Sequence, residues 1–236
     1  MRKFIVIFLF AAALGLLFYK YGFRELLTPG AVKKVRGPRL EELRKNAEKA
    51  EKDFKKHLES ADRVGTAYER LGRTYLKNRN WTPAIQSFQK AVEYGQSGAR
   101  VHYSLGVAYA NRAQDLSDKK DVKEAEKHYR RAMEKNPDFH DAEYGLAILK
   151  FYTEDERREG IRILSGLVSR QPDYFRGRFA LARFYYEDSR PDMALSVYES
   201  LYSDLEASPD SPKIREYRKQ CKENISRLMM ELSGRK

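Results

Sequence analysis

Four histidines and one cysteine have the widest chemical reach in this 236-residue chain: His57, His102, His128, His140 and Cys221. A zinc hydrolase needs two histidines one helical turn apart around a glutamate, and none of the four has that His-Glu-x-x-His spacing. A lone cysteine makes no internal disulfide framework. Cys221 falls on one apolar face with Ile214, Tyr217, Ile225, Leu228 and Leu232, the place of a small buried hydrophobe. No glycine-rich strand-to-helix turn is present to cradle a phosphate. Carboxylates abound, but Glu124, Glu126 and their like stand at charged helix surfaces, where solvation is expected. No catalytic residue, cofactor or metal is therefore expected, the chain is not expected to be an enzyme, and the chemistry left to it is recognition.

What would position recognising side chains is a repeat. Leu71, Gly72 and Tyr75, followed by Ala84, Phe88 and Ala91, recur as Leu105, Gly106 and Tyr109 with Ala125, Tyr129, Ala132 and Pro137. A less faithful third copy has Leu146, Ala147, Gly160, Leu164, Leu167 and Pro172 and lacks the tyrosine, and a fourth has Leu181, Ala182, Tyr185, Ala194, Tyr198 and Leu201. Gly72 and Ala84 are small because two antiparallel helices approach closely only where side chains vanish, and Phe88 fills the gap beside that contact. Thr82 is placed as an N-cap with Pro83 at the first helical position. The first step between leucines is 34 residues and the next is 41, so seven extra residues lie between Tyr109 and Ala125. That is about one added turn on each of two helices, a protruding hairpin with its tip at Ser117 to Asp121.

These residues resemble the tetratricopeptide repeat, whose 34-residue motif carries an aromatic, Leu-Gly, Tyr, Ala, Phe, Ala and Pro at the same offsets. The resemblance implies an all-α, right-handed solenoid of four helix-turn-helix repeats over residues 65–98, 99–139 (with the insertion), 140–174 and 175–209. It also implies a concave groove lined by the first helix of each repeat. The family's groove offsets fall on Arg73, Lys77, Arg100, Tyr103, Asn111, Tyr144, Tyr152, Arg176, Phe179, Arg183 and Tyr186. Arginine among aromatics suits a protein or peptide partner with acidic residues and apolar or aromatic anchors. The positions that clamp the carboxyl terminus of heat-shock chaperones in this family are here Glu69, Arg73, Ser104, Asp141 and Gly145, so that clamp is absent.

The ends read differently. Phe4 to Tyr19 carries no charge, follows Arg2 and Lys3, and extends to Phe23 if Lys20 snorkels. Residues 1–23 are thus expected to be an uncleaved signal anchor contacting the membrane through residues 4–23, since Leu17, Phe18 and Tyr19 stand where a peptidase wants small residues. A single-pass protein of the bacterial inner membrane is expected. The charges flanking the anchor point in opposite directions, which leaves the side of the repeats open. A basic linker (24–38), an amphipathic helix (39–64) and a C-terminal capping helix (210–236) complete the plan, with Ser211 as N-cap before Pro212. The amphipathic helix has a heptad-like seam of Leu40, Leu43, Ala47, Ala50, Phe54, His57, Ala61 and Val64. The net charge of +12 is concentrated next to the anchor, so nucleic acid is not an expected partner. The function implied is a membrane-tethered adaptor or scaffold. The alternative is a self-assembling structural oligomer of the cell envelope, built through the 39–64 helix and the 110–124 hairpin.

Overall fold

The computed structural model describes residues 38–234, and among the described residues every regular element is an α-helix. In order these are α1 (Pro38–Lys77), α2 (Trp81–Glu93), α3 (Ala99–Leu116), α4 (Lys119–Lys135), α5 (His140–Tyr152), α6 (Arg157–Arg170), α7 (Phe175–Glu187), α8 (Pro191–Ala207) and α9 (Pro212–Ser233). The expected anchor and nearly all of the basic linker lie outside the described residues. Among the described residues no helix is long and apolar enough to cross a membrane.

The chain divides into two compact units, Met1–Ser60 and Ala61–Lys236. In the first, the side chains of Lys52, Asp53 and Lys55 to Ser60 are exposed, and seam residues Leu40 to Phe54 lie outside the described side chains. The second holds the repeats. Each of α3, α5 and α7 packs on the helix that follows it, and α9 packs on α8. Two changes to the expected plan appear at the start of this unit. The helix does not break near Gly65, because α1 runs through it. Gly65 is buried, and a Cβ there would lie 2.9 Å from Gln96 Cγ, so close packing offsets the roughly 1 kcal/mol that a mid-helix glycine costs. Leu71, expected on a packed face, is 42% exposed, whereas Leu105, Leu146 and Leu181 are 1%, 2% and 5% exposed. In a stack each repeat buries that leucine against its predecessor, and Leu71 belongs to the first repeat.

Small residues set the helix spacing. A Cβ on Gly72 would lie 2.8 Å from the Phe88 ring, and one on Gly106 or Gly145 would lie 2.7 Å from the Tyr129 ring. Tyr129 is thus wedged between α3 and α5, two successive repeats. Ala84, Ala125, Gly160 and Ala194 are buried at equivalent places on the second helices. The second helix of the first repeat starts earlier than expected, at Trp81 with Asn80 as N-cap, and Thr82 instead accepts a hydrogen bond from Arg112 Nη1 at 3.2 Å.

The extra length enters α3 and α4, which have 18 and 17 residues against 13 and 14 in α5 and α6. The tip is tighter than expected. Ser117 takes a left-handed conformation (φ 54°), the Asp118 side chain accepts from Lys120 N, and α4 has begun by Lys119. Asp121, placed at the tip by sequence, is buried inside α4 and paired by both oxygens with Arg112 at 2.6 and 2.7 Å. Trp81 Nε1 donates to Asp115 Oδ2 at 2.6 Å, which braces the longer stems against α2.

The missing tyrosine of the third repeat is replaced by Lys150, four residues after Leu146. Lys150 is 7% exposed and bridges Glu126 and Glu156 at 2.8 and 2.9 Å. Burial alone would lower its pKa, but the two carboxylate hydrogen bonds raise it above the usual lysine value. Glu126, expected on a solvated face, is half-buried and ties Lys150 to Arg130.

Candidate functional site

Three first helices of the repeats carry an aromatic two residues before the repeat leucine: Tyr103 on α3, Tyr144 on α5 and Phe179 on α7. Each leans on an aromatic supplied by a later segment. Tyr103 meets Phe139 edge-on at 5.2 Å, Tyr144 meets Tyr174 edge-on at 5.9 Å, and Phe179 meets Tyr217 at 5.3 Å and Tyr198 at 5.9 Å. Phe139 and Tyr174 each follow a Pro-Asp pair, Pro137-Asp138 and Pro172-Asp173. Repetition of that tripeptide is the sequence signal that would have revealed them. A Cβ on Gly177 would lie 2.6 Å from Tyr174 Cδ1, so only glycine lets this loop ring lie down against α7.

Arginine completes the ladder. The Arg176 guanidinium lies 4.2 Å from the Tyr144 ring centre, and that of Arg183 lies 5.9 Å from the Tyr152 ring. Each also has a loose acidic neighbour: Asp141 is 3.5 Å from Arg176, and Glu187 is 3.5 Å from Arg183. Tyr174 donates to Asp141 at 2.7 Å and Tyr152 donates to Glu187 at 3.0 Å. Burial pushes the Tyr103 and Tyr174 phenols up, Tyr174 further through its bond to Asp141, so both remain neutral donors at physiological pH. Tyr144, Arg176, Phe179 and Arg183 line one open cleft of about 320 Å³ with Tyr198, Tyr217 and Gln220.

The structure gathers only part of the eleven residues named from sequence. Tyr103, Tyr144, Tyr152, Arg176, Phe179 and Arg183 form the connected cluster on α3, α5 and α7. Tyr186 is 38% exposed and lies under Arg227 of α9 at 5.7 Å. Arg73 pairs with Glu69 on its own helix, Lys77 and Arg100 are exposed, and Asn111 donates to Val107 O at 2.8 Å within α3. Four more residues reach the groove from outside the first helices: Tyr174 from the loop before α7, Tyr198 from α8, and Tyr217 and Gln220 from α9, which joins the groove only once it has docked.

One titratable cluster lies apart from the groove. His102 and His128, 26 residues apart, bring their Nδ1 atoms to 3.1 Å in the buried contact of α3 with α4, with Tyr109 stacked on His128 at 5.6 Å. One nitrogen must donate and the other accept, so the contact cannot form with both rings protonated. Burial lowers both pKa values, that of His128 to about 4, with the nearby His102 and Arg131 adding to the effect on His128. The unfolded chain binds protons that the fold refuses. Stability is therefore fully present above about pH 6.5 and is lost as pH falls toward 4, by about 2 kcal/mol after allowance for solvent screening. Urea unfolding at pH 7 and pH 5 should show this slope, and His102→Gln with His128→Gln should flatten it. An unchanged slope in the double variant would remove the pair as its cause.

Paired antiparallel helices stacked through small-residue contacts, with one aromatic and basic face left open, define a helical-repeat protein. A tetratricopeptide repeat model matches residues 69–118 and 144–212, and the chain belongs to that family. A TPR repeat-containing protein of Borreliella burgdorferi is 24% identical over 198 residues, covering 82% of this chain and 81% of that protein. Two crystal structures share the fold. A thermophilic TPR protein of Thermus thermophilus has a TM-score of 0.55 at 22% identity, over 71% of this chain and 86% of that one. MamA has a TM-score of 0.52 at 23% identity, over 65% of this chain and 85% of that one.

Proposed function

We propose that this chain is a tethered adaptor: residues 4–23 hold it in a bilayer, and the groove of α3, α5, α7 and α9 receives an acidic protein or peptide segment with apolar or aromatic anchors. The convergence of Arg176 and Arg183 with Tyr144, Phe179, Tyr198 and Tyr217 in one open cleft carries this reading. Rings held by other rings offer contact area at little further entropy cost, and guanidinium edges pair with carboxylates. Tetratricopeptide proteins generally mediate protein–protein interactions, which agrees with this use of the face. Tethering raises the effective concentration for a partner at the same membrane, so a weak groove contact suffices.

A photo-crosslinking residue at Tyr152, 54% exposed at the groove edge, tests the proposal in cells. It is expected to trap a partner protein that the same crosslinker at Lys123 or Lys127, exposed on α4, does not trap. Equal trapping from α4, or none from Tyr152, would remove the groove as the partner site.

A further inference from the structure

We infer that the groove selects peptides carrying two carboxylates about 10 Å apart with an aromatic or apolar side chain between them, one carboxylate on Arg176 and the other on Arg183. The inference rests on the groove being the partner site and adds what that partner presents. Arg176 and Arg183 are seven residues apart on α7, so they share a face and their Cα atoms are separated by about 10.5 Å. Both side chains are more than half exposed, at 55% and 52%. Each guanidinium lies over a tyrosine ring, Tyr144 at 4.2 Å or Tyr152 at 5.9 Å.

The present acidic neighbours are weak holders. Asp141 and Glu187 each sit 3.5 Å from their arginine, beyond the usual range of a charge-assisted hydrogen bond. Each has its own tyrosine donor, Tyr174 or Tyr152, so each stays satisfied when its arginine turns to a ligand. The cleft that both arginines line is also lined by Phe179, Tyr198 and Tyr217, a floor for one ring or branched aliphatic group. In a polyproline-like strand, residues three apart return to the same side after about 9 Å, which matches the arginine separation. Acidic residues with two residues between them are therefore the expected spacing.

Fluorescent peptides with two glutamates separated by one, two or three residues, a phenylalanine always between them, are titrated with the full chain. The two-residue spacing is expected to bind tightest. Arg176→Ala and Arg183→Ala should each weaken it about three- to tenfold, and each loss should vanish when the matching glutamate is glutamine. Asp141→Asn and Glu187→Gln should strengthen it, since each removes a competing carboxylate. Equal affinity across the spacings, or indifference to both arginine variants, overturns the inference. If Phe179→Ala still weakens every peptide in that case, the groove stands and only the two-carboxylate requirement falls. If Phe179→Ala is also silent, both fall.

Discussion

Phe184→Ala is expected to lower the unfolding free energy by about 4 kcal/mol, measured as a fall in the urea midpoint followed by helical circular dichroism. The Phe184 side chain is fully buried and lies parallel to Phe151, with ring centres 3.7 Å apart at 3°, while Tyr152 meets it edge-on at 6.2 Å. Phe151 belongs to α5 and Phe184 to α7, so this stack joins the third repeat to the fourth. Truncation removes the ring's transfer free energy and leaves a cavity between two helices that cannot close without shifting their neighbours. Stacking contributes about 1 kcal/mol more, so Phe151→Ala and Phe184→Ala should combine to less than their sum. In a solenoid the interface between repeats couples their unfolding, so the transition should also broaden as α7 to α9 loosen from the rest. The groove spans the same joint, and peptide binding should weaken in parallel. A loss below about 1 kcal/mol would mean that the stack does not hold the repeats together.

No repeat position announces that stack. Phe184 stands three residues after Leu181, where the second repeat has Ala108 after Leu105, and Phe151 stands five after Leu146, where it has Ala110. The periodic residues were legible because each answers a local need that recurs, a close helix approach filled by a ring. Gly106 and Tyr129 show it plainly. The residues that escaped answer needs set by a neighbour far along the chain. Lys150 looks like a failed tyrosine until Glu126 and Glu156 arrive from α4 and from the turn before α6. His102 looks like a packed ring until His128 arrives from α4. Leu71 matches the motif and is exposed because the motif records a residue, not its neighbour. For the groove, sequence offsets located Arg176, Arg183 and the Tyr144 and Phe179 rungs, while Tyr217 and Gln220 depended on where α9 comes to rest.

Two chemically identical substitutions six residues apart on α6 should shift stability in opposite directions, by about 3 kcal/mol between them. A Cβ on Gly160 would lie 2.5 Å from Phe151 N, 2.7 Å from Ala147 O and 2.7 Å from Phe151 Cα. These are backbone atoms, so no rotamer change relieves the contact and α5 must move away from α6. The other repeats hold alanine at this position, as Ala84, Ala125 and Ala194, so the wider spacing is attainable elsewhere in the stack. Here it would displace Phe151 from Phe184 and draw Lys150 from its two carboxylates, and these shifts outweigh the gain of about 0.5–1 kcal/mol that alanine brings to a helix. Gly160→Ala is expected to lose about 2 kcal/mol net. At Gly166 an added Cβ meets only Arg170 Nη1 at 3.3 Å, the far end of a side chain 60% exposed. Gly166→Ala should therefore keep the helix gain and stabilise by about 0.5–1 kcal/mol. Thermal and urea unfolding of the two variants side by side decide the matter, because helix propensity alone predicts that both stabilise. If Gly160→Ala raises the midpoint as Gly166→Ala does, the close approach of α5 to α6 is not what makes glycine necessary there.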